Sequence, residues 1–205
     1  MNKRSLLYLI LMCVFAITPA LATPAGCNTF FGTNVLAASL IPGCSFGNLV
    51  FDQFSVVSAP PGSTIFLSSI GSAVVPSGVN LGFQITTPTP PVDTIFQYRI
   101  TGYTNGVDNA HNASGSGKIQ EIVCSVPFAG GICPTGFVLA NFVNPPTNIA
   151  FYAPQQVVYI LKDISLPDTN SFISSFVNSA EVPEPSTIGL ALFGLAAISS
   201  RFRRR

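Results

Sequence analysis

The chain has 205 residues, a formal charge of +1, 17 Pro, 17 Gly, 17 Phe and no Trp. Six of its nine basic residues lie at the ends: Lys3, Arg4, Arg201, Arg203, Arg204 and Arg205. From Thr23 to Ala180 only Arg99, Lys118 and Lys162 oppose six acids, a net −3. With no basic patch to track phosphates, nucleic acid is not expected as a partner.

The N-terminus reads MNKR-SLLYLILMCVFAI-TPALA. Lys3 and Arg4 form a charged n-region, and residues 5–17 an apolar h-region of about a dozen residues. Ala20 and Ala22 frame a small-x-small cleavage site, so signal peptidase would leave Thr23 as the first mature residue. An uncleaved anchor would need an apolar run of about 20 residues. The expected organisation is a signal peptide over 1–22, one domain over 23–180 and a C-terminal segment over 181–205.

Cys13 departs with the signal peptide, leaving Cys27, Cys44, Cys124 and Cys133. An even count in an exported chain points to disulfides, with three possible connectivities. The sequence-local choice is Cys27–Cys44 and Cys124–Cys133, each closing a loop rich in Gly and Pro. A zinc site would want CxxC-like spacing, which is absent. No cofactor is expected.

The body reads as β-rich. Strand-like runs occupy 48–59, 64–75, 80–87, 94–103, 118–126, 136–143, 156–166 and 171–180, separated by Pro, Gly, Asn and Asp turns. In 80–87, Leu81, Phe83 and Ile85 share one face; in 94–103, Phe96, Tyr98 and Ile100 share one, with Gln97, Arg99 and Thr101 on the other. The one plausible helical turn is Asn34 to Leu40. No fixed-period repeat appears. The expected fold is all-β: a single-domain antiparallel β-sandwich, jelly-roll-like, of about eight strands, with the signal peptide before it and a short apolar helix after it.

Catalytic signals are sparse. His111 is the sole histidine, in GVDNAHNASGSGK, with Asp108, Ser114 and Ser116 nearby but no GxSxG elbow. Asp108, Asn109 and Asn112 offer oxygens to calcium, but Ala110 and Ala113 break the EF-hand spacing. That stretch reads as a hairpin loop. Asn112-Ala113-Ser114 is an accidental sequon. Glu121 and Asp163 are the candidate glycosidase pair, yet neighbouring Gln120 and Lys162 suggest a solvated face for both. Tyr98, Tyr103, Tyr152 and Tyr159 are candidate sugar-binding aromatics, a case weakened by the absence of Trp.

The C-terminus reads VPEPST-IGLALFGLAAISS-RFRRR. Pro183 and Pro185 fix two φ angles and remove two backbone donors, so the stretch stays out of sheet and helix. The apolar helix expected over 188–200 is short for a span of about 20 residues. Arg201, Arg203, Arg204 and Arg205 then act as a cytoplasmic stop under the positive-inside bias. Val182, Pro183, Glu184, Pro185, Ser186 and Thr187, the apolar run and the basic end resemble, in that order, the PEP-CTERM sorting signal of Gram-negative bacteria. The same tail also carries the label ice-binding protein C-terminal segment, although the body lacks regular Thr-x-Thr rows. The stretch LKDISLPDTNSFISSFVNSAEVPEP resembles the end of the small β domains that precede such tails.

The resemblance implies an exosortase-type membrane peptidase as partner, transient membrane residence through the C-terminal helix, and a final place on the outer surface or in the extracellular matrix. It also implies a link to exopolysaccharide. The reading is an exported, non-enzymatic surface or matrix component. Its rivals are a carbohydrate-binding module for exopolysaccharide and a secreted hydrolase.

Overall fold

The computed structural model describes residues 24–37, 42–144 and 148–182. Nine strands build it: β1 (Cys44–Phe46), β2 (Leu49–Ser58), β3 (Thr64–Val75), β4 (Gly78–Thr86), β5 (Val92–Ser114), β6 (Lys118–Cys124), β7 (Val138–Asn144), β8 (Ile149–Leu166) and β9 (Phe172–Glu181). All pairings are antiparallel, in the order β3-β4-β9-β5-β8-β6-β7, with β2 also on β5 and β1 on β2. The fold is therefore all-β and antiparallel. The expected signal-peptidase site at Ala20, Ala22 and Thr23, and everything from Pro183 to Arg205, lie outside the described residues.

One strand turns this sheet into two layers. The first half of β5 pairs with β2 along one edge, Val50↔Thr101 to Ser58↔Ile95. Its second half pairs with β9 along the same edge, Gly106↔Glu181 to Ser114↔Phe172. His111 pairs with Phe176 and lies 15 residues after Phe96 in the same strand, about 50 Å away were the strand straight. Yet the rings of Phe96 and Phe176 are 6.3 Å apart. The strand must bend sharply between the halves, and its pairing with β8 shifts register there, around Thr104. Gly102 supplies φ +128 at the bend, where a Cβ would sit 2.5 Å from Leu49. Glycine alone adopts such an angle without strain.

Folding the sheet over encloses the core. Phe83 of β4 stacks on Phe176 of β9 at 4.8 Å and meets Phe96 and Tyr98 of β5 at 5.9 and 6.2 Å. Alternation along each strand explains the placement: Leu81, Phe83 and Ile85 are buried, as are Phe96, Tyr98 and Ile100. On the other face of β5, Arg99 grips Asp52 of β2 through two bonds of 2.8 and 2.6 Å. That fork raises the Arg99 pKa further above its already high range.

Cys27 bonds Cys44, and Cys124 bonds Cys133. The first bridge ties a short 3₁₀ turn (Cys27–Phe30) to β1. The chain then runs along the outer edge of β3, with Gly32 N donating to Leu67 O and Val35 N to Ile65 O, both at 2.7 Å. Of the expected helical turn at Asn34 to Leu40, the described residues 34–37 form one hydrogen-bonded turn, Ala37 N donating to Asn34 O at 3.1 Å, without helix. Asn34 instead bridges to Phe66, and its side-chain oxygen accepts from the Leu36 and Ile65 amides. Two strands also outrun expectation. The stretch read as a hairpin loop around His111 is strand as far as Ser114, with the turn confined to residues 115–117, and β8 begins at Ile149, before Pro154.

Candidate functional site

Two places on this frame carry unusual chemistry: the end from which the C-terminal segment leaves, and a polar cluster between the layers. β9 is an interior strand, flanked by β4 and by the second half of β5. Its last residue, Glu181, is paired with Gly78 on one side and Gly106 on the other. Val182 N then donates to Ser77 O at 2.7 Å, and its side chain packs against the core. The fold thus holds the chain up to the first residue of VPEPST. Gly106 is paired in turn with Phe151 of β8. Phe151 is 67% exposed; Val74, the cross-strand partner of the Val79 that follows Gly78, and Tyr103, three residues before Gly106, are 61% and 59% exposed. These three exposed side chains form an apolar rim near the exit.

The interior cluster grows from two apolar stripes, each interrupted once. β6 turns Ile119, Glu121 and Val123 inward; β8 turns Ile160, Lys162 and Ile164 inward. Glu121 and Lys162 are cross-strand partners, joined by an ion-pair hydrogen bond, and both side chains are fully buried. The expectation that Glu121 and Asp163 both sit on a solvated face is overturned for Glu121, which is fully buried, while Asp163 on the opposite face is part-exposed. The sequence signal was present in the i±2 neighbours, Ile-x-Glu-x-Val and Ile-x-Lys-x-Ile, whereas the adjacent Gln120 belongs to the opposite face.

β9 reaches this pair through Phe176, whose cross-strand partner is His111 in the second half of β5. Rings of β4 and β9 meet β5, and Lys162 Nζ lies 5.9 Å from the Phe176 ring centroid. Moving one strand further, from β9 to β5, moves from above Lys162 toward β6 and β7. There Asn144 of β7 donates to the Asn109 carbonyl. Asn109 and Asn178, partners across β5 and β9, are both fully buried. Among the described residues, Glu121 Oε1, Tyr98 Oη, His111 Nδ1, Asn178 Oδ1 and both side-chain heteroatoms of Asn109 lack a hydrogen-bond partner. Groups of this kind are normally satisfied.

Burial governs the protonation here. It pushes the Glu121 carboxyl up and the Lys162 amine down, in each case against the pull of the other. Both shifts favour a neutral acid beside a neutral amine. Burial also raises Tyr98, and it raises Tyr152 to about 12. His111 is lowered, by burial first and then by the Lys162 charge.

The remaining sequence candidates are separated by the fold. Asp108 and His111 are three positions apart on one strand and point to opposite faces. Asp108 does not orient the imidazole, and Asn109 is too buried to join a surface calcium site with Asp108 and Asn112. Gln120, not Glu121, pairs with Asp163, so the two candidate carboxylates face away from each other across the sheet. Tyr98 is core, and Tyr152 bonds Thr104 Oγ1 at 3.0 Å, leaving Tyr103 exposed by itself. Tyr159 lines a cavity of about 50 Å³ with Gln53, Gln97 and Phe128. A shallow groove of about 370 Å³ runs between the 85–90 segment and Ser171–Ile173, lined by Thr86, Thr87, Thr89 and Phe172. Among the described residues no cluster of three or more His, Cys, Asp or Glu could hold a metal, and no helix is long and apolar enough to cross a membrane.

No curated protein and no solved structure matches the chain. Residues 181–205 match the PEP-CTERM protein-sorting motif. That motif implies export, a transient membrane-anchored state and processing by an exosortase, a membrane protease. Beginning where the β9 ladder ends and running to Arg205, the segment makes this chain a carrier of the PEP-CTERM sorting signal.

Proposed function

We propose that the chain is a non-enzymatic component of the outer surface or extracellular matrix, a β-sandwich delivered by its tail and then released from it. On this reading signal peptidase cuts after Ala22, Arg201 to Arg205 hold the C-terminus at the cytoplasmic face, and an exosortase cuts beside Pro183-Glu184-Pro185. The observation that carries the reading is the continuity between fold and signal. The sheet holds the chain to Val182. Residues 182–187, fully extended, reach at most about 20 Å, so the tethered body sits close to the bilayer. The rim of Val74, Tyr103 and Phe151 is then the face turned to the lipid. The domain limits of 23–180 and 181–205 belong to the same proposal.

The test follows the tail. Replacing Pro183-Glu184-Pro185 by Ala-Ala-Ala should leave a full-length, arginine-bearing chain in the inner membrane, while the wild-type chain appears outside in shortened form. Equal release of both would overturn the reading.

A second reading, binding of exopolysaccharide, is favoured by the groove beside Phe172, which offers one aromatic face and three threonine hydroxyls. Phe172→Ala should abolish retention on purified exopolysaccharide if the groove binds sugar. Unchanged retention assigns binding elsewhere, and no retention by the wild type leaves the structural role.

A further inference from the structure

Lys162, Glu121 and Asn109 are three fully buried side chains with complementary reactive groups. Lys162 provides a primary amine, held between Glu121 on the adjacent strand and Phe176 on the facing layer. Glu121 provides a carboxyl in contact with that amine, with its second oxygen unpartnered among the described residues. Asn109 provides a fully buried carboxamide with neither heteroatom hydrogen-bonded among the described residues. It lies two residues along β5 from His111, the cross-strand partner of the Phe176 whose ring meets Lys162. Asn178 beside it is a weaker electrophile by position, since its Nδ2 already donates to Ser179 O at 3.3 Å.

We propose that these residues form a self-catalysed covalent cross-link, an amide between Lys162 Nζ and Asn109 Cγ, which joins the two layers of the sandwich. The neutral amine attacks Cγ and forms the new C–N bond. Protonated Glu121 gives its proton to the departing Nδ2 and takes one from the attacking nitrogen, so it ends as it began. The Cγ–Nδ2 bond breaks and ammonia leaves. No oxidant, reductant or cofactor is consumed. The chain becomes lighter by about 17 Da, one ammonia, through an uncharged lysine nucleophile generated by desolvation.

Several features of the site favour this reaction. Burial works toward the uncharged amine and the protonated acid, the forms that the two steps need, against the pull of the ion pair. Phe83, Phe96 and Phe176 make the surroundings buried and apolar, which disfavours hydrolysis of the carboxamide. The arrangement described here is the unreacted one, with Lys162 hydrogen-bonded to Glu121. The lysine stem has four methylenes, whose rotation swings Nζ toward the overlying strand. The product replaces a buried amine and a buried, unpartnered carboxamide with one neutral amide, removing a desolvation penalty that ordinary folding leaves in place. A covalent strut between β8 and β5 also suits a small exported domain that must survive outside the cell.

Peptide mapping of the exported protein, disulfides reduced, decides the matter. Trypsin cuts after Lys118 and Lys162 in a free chain. The expected result is no cut at Lys162, and the peptide 100–118, which holds Asn109, joined to the peptide that spans Lys162 with a deficit of about 17 Da. Lys162→Arg and Asn109→Ala should each restore ordinary peptides, and Glu121→Gln should do so through loss of the proton shuttle. Should a variant fail to fold, the wild-type map alone is sufficient. Free cleavage at Lys162 overturns the proposal. So does a link from Lys162 to Asn178, or to Glu121 with loss of water.

Discussion

Glu121 on β6 and Lys162 on β8 face each other across the ladder, and neither side chain exposes any surface. Each interrupts an otherwise apolar inward stripe. Removing one partner strands the other in a low-dielectric interior, which typically costs about 3–5 kcal/mol. Glu121→Ala and Lys162→Ala should each lose that much in urea unfolding. The double variant Glu121→Leu, Lys162→Met restores apolar continuity and should be milder than either single change. A double variant as damaged as the sum of the singles would show that the two sites do not interact.

His111 should make stability fall on acidification. Burial, and then Lys162 on β8, hold its pKa below the ordinary 6.5. As pH falls through 6.5 the unfolded chain takes up the proton while the folded one resists, so the contribution of this residue is complete above that value and declines below it. His111→Gln should flatten the drop in urea midpoint between about pH 7.5 and 5.5. Identical slopes for both proteins would refute the assignment.

The bend in β5 depends on Gly102. At φ +128 a side chain is strained, and its Cβ would meet Leu49 and the Asn48 carbonyl. Gly102→Ala should cost about 1–3 kcal/mol, read as a lowered thermal midpoint. A change at Gly62, where φ is +87 and no atom lies within 4 Å of an added Cβ, should cost less because only the backbone term remains.

The two disulfides stabilise different parts of the molecule. Cys27–Cys44 spans 17 positions and Cys124–Cys133 spans 9. Chain-entropy arguments assign about 3 kcal/mol to a loop of this size, with a smaller value for the shorter one. Replacing Cys27 and Cys44 by Ser should also raise amide exchange at Gly32 and Val35, whose donors cap the β3 edge. Replacing Cys124 and Cys133 should leave those amides unchanged.

Much of this architecture is legible in residue order. Alternation locates the strands, because every second side chain of a strand must share one face; Leu81-Phe83-Ile85 and Phe96-Tyr98-Ile100 are read correctly from that rule. Cysteine spacing suggests the bridges, and the order of VPEPST, apolar run and arginines gives the destination. All these signals are local. Tertiary structure decided the rest. The sequence around His111 carries Gly, Asn and Asp, which locally favour a loop, but β9 pairs with it from Gly106 to Ser114, and β8 with its first residues as far as Asp108, so its backbone is satisfied as strand. Glu121 and Lys162 each resemble a solvated charge when viewed with their sequence neighbours. They are interior because β5 bends at Gly102 and brings its second half across them, a consequence of chain path that no window of sequence contains.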